Sequence, residues 1–138
     1  MSKNPRTDES MRSTVHDYEW IIPNNDAGEP IEGIKIKYMG KDPEDKGVYT
    51  RLLIFEPGFN TESFWTGEFK NQKHTFWEEV FVIKGHMMDY GTNKLFTEGY
   101  YGLRSPGSVH GPYGTDIGCL IMETTWRDRE WYEKNLGK

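Results

Sequence analysis

The chain is punctuated throughout by short turn signals, and this regular punctuation constrains its fold more than any other feature. From Tyr18 onward, Gly, Pro, Asn and Asp cluster between short runs of strand-forming residues. The clusters are Pro23-Asn24-Asn25, Gly28-Glu29-Pro30, Gly40-Lys41-Asp42-Pro43, Pro57-Gly58, Gly91-Thr92-Asn93 and Pro106-Gly107. Because many short strands joined by such turns are typical of a sandwich or barrel, we predict an all-β protein.

Five runs between the turns are the clearest strand candidates: residues 33–38, 48–56, 79–84, 100–103 and 117–125. Residues 34–38 alternate apolar and polar side chains, which predicts one buried and one solvent-facing side. Residues 80–83 are apolar on both faces, so we expect them to lie centrally, between layers. Residues 127–136 are predicted to form one short C-terminal helix, with Asp128 near its start and Gly137 just after its end.

The length of the chain allows a single domain with a core of its own. Residues 1–15 are charged and have no apolar periodicity, so we expect a flexible N-terminal tail followed by one domain over residues 16–138. Aromatic residues make up 14% of the chain and can supply much of the buried apolar area.

Composition also narrows the possible functions and locations. The formal net charge is −5 and the chain has no basic stripe, which disfavours binding to nucleic acid or to an anionic membrane surface. No apolar run approaches the roughly 20 residues that span a bilayer. Cys119 is the only cysteine, so the fold does not depend on an internal disulfide. We therefore expect a cytoplasmic protein that acts on a small molecule.

Two segments carry a pattern of metal ligands. In the first, His74 precedes Glu78 by four residues, and Glu78 leads into an apolar strand that ends at Gly85. In the second, a short strand and the Pro106-Gly107 turn lead to His110. Imidazole nitrogen and carboxylate oxygen suit Fe, Mn, Ni, Co or Zn. Two histidines and one carboxylate on one side of a metal ion form the facial triad of non-haem Fe(II) oxygenases.

These segments resemble the two motifs of the cupin superfamily. The first motif reads His-x-His, three or four residues, Glu, six residues, Gly, and His74, Glu78 and Gly85 match all of it except the first histidine. The second motif ends in Pro, Gly, two residues and His, which the segment from Pro106 to His110 matches with proline directly before glycine. The resemblance implies a cupin-type double-stranded β-helix, a jelly-roll barrel that holds one divalent metal ion per chain.

The chain resembles the cupin-like domain of the ChrR anti-sigma factor more closely. In that family the Pro-Gly-x-x-His turn is followed by a Gly-Cys strand, and the run from Ile117 to Met122 is similar. The family's first histidine falls at Gln72 here. Gln72 is either a weak ligand, or a group that holds a metal-bound water, or a group that supports the ligands without touching the metal. We favour the last two. This ligand set favours Fe(II), with Mn(II), Zn(II) or Ni(II) as alternatives.

Several residues near the two motifs are candidates for a substrate pocket. Trp77, Tyr113 and Tyr101 are predicted to form part of its wall, and Arg104 is either a surface ion-pair residue or a clamp for a substrate carboxylate or enolate. Glu79 should face away from Glu78, since neighbouring side chains of a strand point to opposite faces. His86 is expected to be structural or exposed, and Cys119 a small buried residue without a nucleophilic role.

Three functions remain open at the level of sequence. The favoured one is an Fe(II) dioxygenase acting on a small aromatic or dicarbonyl compound, with a non-oxidative metal-dependent isomerase or lyase as the second. The third is a Zn-binding sensor or regulatory cupin, which the resemblance to ChrR implies. A homodimer is expected because cupins commonly pair, and the segment from Tyr18 to Ile22 has the apolar character to add a strand to a neighbouring chain.

Overall fold

The computed structural model describes residues 18–25, 27–42, 44–45, 47–61, 72–73, 76–127, 130 and 133–134, with the backbone alone at 72, 73, 109 and 110. The predicted tail at 1–15 lies outside these residues. Most of the stretch predicted as the C-terminal helix, 127–136, also lies outside them. Residues 130, 133 and 134 are helical, but the described part contains no continuous helix there. Where the structure describes the chain, no helix is long and apolar enough to cross a membrane.

The described residues form nine β-strands, and the five predicted runs are confirmed as strands. They are β1 (Ile34–Lys41), β2 (Tyr49–Phe55), β3 (Gln72–Lys73), β4 (Trp77–Asp89), β5 (Lys94–Thr97), β6 (Tyr101–Arg104), β7 (Val109–His110), β8 (Tyr113–Gly114) and β9 (Cys119–Trp126). The sequence analysis did not identify β3, β5, β7 or β8, of which three have only two residues and too little length to show a period.

All the strand pairs are antiparallel. The larger sheet runs in the order β1-β2-β9-β4-β5, with β6 and β8 also pairing with β4, and β3 pairs with β7 in a sheet of two strands. The first part of β4 lies between β9 and β6, whereas its last residues, from His86 to Asp89, pair with β5 and β8. The same strand therefore belongs to two layers, as the jelly-roll prediction requires.

The change of layer occurs at Gly85, the last residue of the first predicted motif. Gly85 has φ +75°, a conformation in which a side chain is strained. A Cβ atom at this position would lie 2.0 Å from the carbonyl oxygen of Gly118, so the two backbones approach too closely for any side chain. The motif glycine is thus required by both the turn of the strand and the packing of β4 on the start of β9.

The inner faces of the strands enclose an apolar core at one end of the interior. Its buried members are Ile36, Leu53, Phe55, Phe59, Met87, Tyr113, Cys119 and Ile121, and Val82 is also buried. The run at 80–83 lies centrally in the sheet, between β9 and β6, as predicted. We predicted that this run is covered on both faces of the sheet, but Phe81 on the outer face is 37% exposed.

The segment around Trp20 folds onto β1 of its own chain. Ile21 and Ile36 exchange two backbone hydrogen bonds of 2.7 and 2.8 Å. The Trp20 ring also covers the Lys37 ammonium, 4.6 Å from the ring centre, which explains why a lysine on the predicted polar side is buried. The backbone groups of Ile21 that we expected to pair with a neighbouring chain are therefore used within the chain.

Candidate metal and ligand site

The predicted metal ligands come from three separate segments, which the structure describes to different extents. Glu78 lies near the start of β4 and its residue is 4% exposed. Gln72 and His110 are directly opposite each other in the β3–β7 pair, so the backbone brings the two motifs together. His74 and the side chains of Gln72 and His110 lie outside the described part. Among the side chains that are described, no group of three His, Cys, Asp or Glu could hold a metal ion.

The carboxyl group of Glu78 faces the interior among other charged groups. Its cross-strand neighbours are Arg104 on β6 and Thr125 on β9, and neighbours of this kind share a face of the sheet. Glu78 Oε1 lies 3.7 Å from Arg104 Nε. On the other side, Glu78 forms a hydrogen bond with Glu123, which stands two residues before Thr125 on β9. A hydrogen bond between two carboxyl groups needs a proton on one of them.

Burial raises the pKa of Glu78 well above its usual range, and the charge of Glu123 and the hydrogen bond with it add to this effect. Arg104 and Arg51 act in the opposite direction but do not cancel it. The interior places two guanidinium groups, Arg51 and Arg104, beside three carboxyl groups, Glu78, Glu123 and Asp89. Their charges balance when Glu78 carries a proton, which agrees with the direction of its pKa.

Arg51 anchors this network from β2, and the sequence analysis did not identify it or Glu123. Arg51 Nε donates a 2.9 Å hydrogen bond to Glu123 Oε1, and the two side chains are 19% and 10% exposed. Arg51 also donates to the hydroxyl of Tyr38 at 3.3 Å and lies over the ring of Tyr49, 4.3 Å from its centre. The sequence signal for Arg51 was the alternation along β2. Leu53 and Phe55 face the core, and Arg51, two residues before Leu53, lies on the same face of the strand.

Arg104 connects Glu78 to a second buried carboxylate. Its Nη2 atom lies 3.9 Å from Asp89 Oδ2, and its guanidinium lies 5.7 Å from the ring centre of Tyr113. The Arg104 side chain is only 18% exposed, so it is held in the interior and does not form a surface ion pair. Tyr113 is 7% exposed, and burial raises the pKa of its hydroxyl group far above the usual value. Arg104 and Tyr113 therefore share the interior with Glu78.

The other two candidates for the pocket wall lie on the opposite face of the sheet. Trp77 precedes Glu78 on β4, so its side chain points outward, where it stacks on Trp126 with 6.2 Å between ring centres. Tyr101 is paired with Phe81 on the outer face and is 55% exposed. Neither Trp77 nor Tyr101 lines the cavity on the inner face of β4, which is formed in part by Val80, Val82 and Arg104. The reason is that side chains alternate between the two faces of a strand and Glu78 points inward.

The structure also locates three residues to which the sequence analysis gave no catalytic role. Glu79 is on the outer face, opposite Leu103 and Thr124. His86 pairs with Thr97, and its side chain points away from the buried face that carries Met87. Cys119 is 6% exposed, and burial raises the pKa of its thiol to about 12, so the thiolate that a nucleophile needs is disfavoured.

The negative charge of the carboxyl groups around Glu78 is suited to a divalent metal ion. Two buried carboxyl groups in contact need a proton or a cation between or beside them, and Glu78 is the carboxyl with the raised pKa. A metal ion would take the place of the proton, and carboxylate with imidazole is a donor set that first-row metals accept. Of the predicted ligands, Glu78 is the one whose side chain the structure describes, and its role as a ligand stays a prediction.

The jelly-roll topology and the Glu78 motif that ends at Gly85 define a cupin. More specifically, the family profile described as the ChrR Cupin-like domain matches residues 9–127, most of the chain, and the chain belongs to this family. Comparison with the curated proteins finds no match.

Solved structures with the same fold include both enzymes and a regulator. A candidate dioxygenase from Nostoc punctiforme is 18% identical with a TM-score of 0.61, covering 88% of this chain and 35% of that one. Acetylacetone dioxygenase from Acinetobacter johnsonii is 19% identical with a TM-score of 0.59, covering 92% and 78%. The anti-sigma protein ChrR, solved with SigE from Rhodobacter sphaeroides, is 15% identical with a TM-score of 0.54, covering 81% and 51%.

The similarity to these three solved structures shows the fold alone. The chain spans about a third of the length of the Nostoc protein and about half of ChrR.

Proposed function

We propose that the protein is a metal-dependent cupin enzyme, a non-haem Fe(II) dioxygenase that acts on a small aromatic or dicarbonyl compound. The observation that carries the proposal is the buried carboxyl group of Glu78, which faces the interior beside Arg104 and whose pKa is raised. Structures of dioxygenases with the same fold, among them one that acts on acetylacetone, a dicarbonyl, support the choice of reaction class.

His74, Glu78 and His110 would hold the metal, and Gln72 would hold a water or support the ligands. When bound, Fe(II) supplies oxygen activation and charge stabilisation for the substrate. Arg104 orients an anionic oxygen of the substrate, because a buried guanidinium offers several donors in a fixed plane. Glu123, held by Arg51, fixes the position of Glu78 through their hydrogen bond. Val80, Val82 and Met87 form an apolar wall beside these groups, which makes this side of the site less polar than solvent.

Glu78→Gln should weaken Fe(II) binding by about 100-fold or more, because groups that only support metal ligands already contribute about 10- to 100-fold. The protein is loaded with Fe(II) without oxygen, and bound iron is measured by the electron paramagnetic resonance signal of its NO complex. Oxygen uptake with acetylacetone as the probe is then followed with an electrode.

The matched control is Glu79→Gln, one residue further along β4 on the outer face. It changes the net charge by the same amount and should leave both the Fe–NO signal and oxygen uptake unchanged. An equal loss in the two variants, or no Fe–NO signal in the wild-type protein, would contradict the proposed metal site.

Membership in the ChrR Cupin-like family supports a second candidate, a Zn-binding sensor or regulatory cupin. Stoichiometric zinc in protein from its native host, together with a metal-dependent complex with another protein, would favour this alternative. Turnover that continues with Zn(II) or Mn(II) and consumes no oxygen would instead favour an isomerase or lyase.

We also propose that the protein is a cytoplasmic homodimer. An apolar row crosses the outer face of the sheet, in which Leu52, Met122, Phe81 and Tyr101 are successive cross-strand neighbours. Phe81 and Met122 are each 37% exposed and Tyr101 is 55% exposed. Exposed apolar area of this kind is typical of a protein interface. Sedimentation equilibrium of the full chain tests the proposal, and a monomer at micromolar concentration would contradict it.

A further inference from the structure

Strand β6 contains a glycine on the inner face of the sheet. Gly102 is directly opposite Val80 in the β4–β6 pair, and Val80 faces inward because it lies two residues after Glu78. Glycine inside a strand weakens it, so its presence commonly marks a bulge, a sharp bend, or a place where a second backbone or a ligand approaches closely. The surroundings of Gly102 distinguish between these causes.

The backbone around Gly102 does not require a glycine. Strands β4 and β6 pair in continuous register from Glu78 opposite Arg104 to Phe81 opposite Tyr101, which leaves no place for a bulge. The φ of Gly102 is outside the left-handed region that the turn glycines adopt. Apart from its two chain neighbours, no atom of the described residues lies within 4 Å of the position that a Cβ atom would take. Close approach of a ligand is therefore the cause that fits this glycine.

The space beside Gly102 belongs to the cavity on the inner face of β4. The cavity has a volume of about 220 Å³, and Val80, Val82 and Met87 form its apolar wall. An apolar cavity of about 150 Å³ is enough to hold benzene. The cavity therefore has room for one aromatic ring as long as position 102 carries no large side chain.

The cavity has a cationic end and an aromatic end, and Gly102 lies between them. Tyr100, Gly102 and Arg104 all line it, since alternate residues of a strand share a face. At one end Arg104 lies beside Glu78, and at the other the rings of Phe96 and Tyr100 pack with 5.0 Å between their centres. Tyr100 is 46% exposed, so the aromatic end opens to solvent. A ligand held at Arg104 therefore passes over Gly102 and extends towards the two rings.

We infer that Gly102 determines which substrates the cavity accepts, because its missing side chain makes room for an aromatic ring next to the group that Arg104 binds. A larger residue at this position would fill that room and leave space for a methyl group only. The inference rests on the proposed function for the reacting group, an enolate oxygen. It narrows the substrate class to a dicarbonyl compound that carries an aryl group on one carbonyl.

Two probes with the same dicarbonyl group separate the contribution of the ring. Benzoylacetone carries a phenyl ring where acetylacetone carries a methyl group. Each is titrated by isothermal calorimetry into the full chain, as purified and again after treatment with EDTA, so that binding is also measured without metal. The wild-type protein should bind benzoylacetone at least about tenfold more tightly than acetylacetone, which is the effect of burying one aromatic ring.

Substitutions at Gly102 should remove this preference in two steps. Gly102→Ala should reduce the ratio of the two affinities, and Gly102→Leu should bring it to about one, because the leucine side chain fills the space of the ring. Both variants should melt at a temperature no lower than the wild-type protein, since open space surrounds the position and glycine itself weakens a strand. The matched control Tyr101→Leu places the same side chain on the outer face of β6 and should keep the wild-type ratio.

An unchanged ratio in Gly102→Leu would overturn the inference, as would a wild-type protein that binds neither probe or does not distinguish them. Lower melting temperatures in both Gly102 variants would also overturn it, because the glycine would then be needed for packing. The result is separable from that of the metal site. A normal Fe–NO signal without a preference for the ring would overturn this inference alone. A preference that depends on Gly102 in a protein without an Fe–NO signal would support Gly102 as the residue that sets ligand size and contradict the proposed reaction.

Discussion

Gly85→Ala should lower the free energy of unfolding by about 4 kcal/mol or more, which is in the range that single substitutions reach only through a severe local conflict. Two effects combine at this position. The backbone at φ +75° is strained for any residue with a Cβ atom, which contributes about 1–2 kcal/mol. The Cβ atom would also stand 2.0 Å from the carbonyl oxygen of Gly118, and this overlap is relieved only if β4 and β9 separate.

Gly99→Ala is the matched control for this substitution. Gly99 has φ +84°, but a Cβ atom there meets nothing within 4 Å. It should therefore lose only the strain of the backbone, about 1–2 kcal/mol. Urea unfolding of the wild-type protein and both variants, followed by tryptophan fluorescence, gives the difference. Equal losses in the two variants would mean that β4 and β9 do not approach as closely at Gly85 as described.

Arg51→Met should destabilise the protein by about 3–5 kcal/mol at pH 7, because it leaves a buried carboxylate without its cation. Arg51 and Glu123 are 19% and 10% exposed and form a 2.9 Å hydrogen bond, so solvent cannot replace the lost partner. Glu78 and Glu123 share a hydrogen bond, and without Arg51 the remaining cation beside these two carboxyl groups is Arg104.

The effect of Arg51→Met should depend on pH in a direction that the pKa of Glu78 fixes. Its folded pKa is raised above the ordinary value of 4.5. The protonated form is therefore favoured in the folded protein, and the stability it contributes is complete below about pH 4.5 and is lost as pH rises through the folded pKa. Arg51 lowers the pKa of Glu78 and so stabilises its ionised form, a contribution that vanishes once Glu78 is protonated. The loss caused by Arg51→Met should therefore be smaller near pH 4.5 than at pH 7.

Two further variants make this result specific to the buried network. Lys35→Met removes one cation from an exposed pair with Glu56, where the atoms are 3.9 Å apart and the side chains 45% and 50% exposed, so it should cost less than about 1 kcal/mol. The double variant Arg51→Met/Glu123→Leu should recover most of the stability that Arg51→Met loses, since an apolar pair can replace a buried ion pair. Thermal unfolding at pH 4.5 and 7 measures all of them. A loss in Arg51→Met no larger than in Lys35→Met would contradict the network.

Sequence patterns predicted the all-β class and the longer strands because both follow from local chemistry. Turn residues punctuate the chain, and residues 34–38 carry enough alternation to show a strand. The motif was predicted to end its strand at Gly85, whereas β4 bends there and continues to Asp89, because the glycine lets the backbone turn without leaving the sheet. The short strands β3, β7 and β8 were missed because two residues are too few to carry a period.

The candidate site was predictable only in part. The spacing to Gly85 selected Glu78 rather than Glu79 as the inward carboxylate. Side chains alternate along a strand, so the neighbouring Trp77 could have been placed on the outer face from the sequence as well. Metal binding by His74 and His110 stays a prediction. Of the interior partners, Arg51 lies on β2, Glu123 on β9 and Asp89 at the far end of β4 itself. Which of these charged groups meet depends on how the strands pair, and alternation along one strand does not show that.

The sequence by itself was therefore sufficient for properties that depend on near neighbours: the longer strands, the turns, the motif glycine Gly85 and the family to which the chain belongs. Folding decides which charged groups meet. Arg51 and Glu123 are 72 residues apart and Glu78 lies between them, yet pairing of β2 with β9 and of β9 with β4 brings all three to one buried face. The strength of a charge interaction depends on distance and burial, and both arise only when the sheet forms.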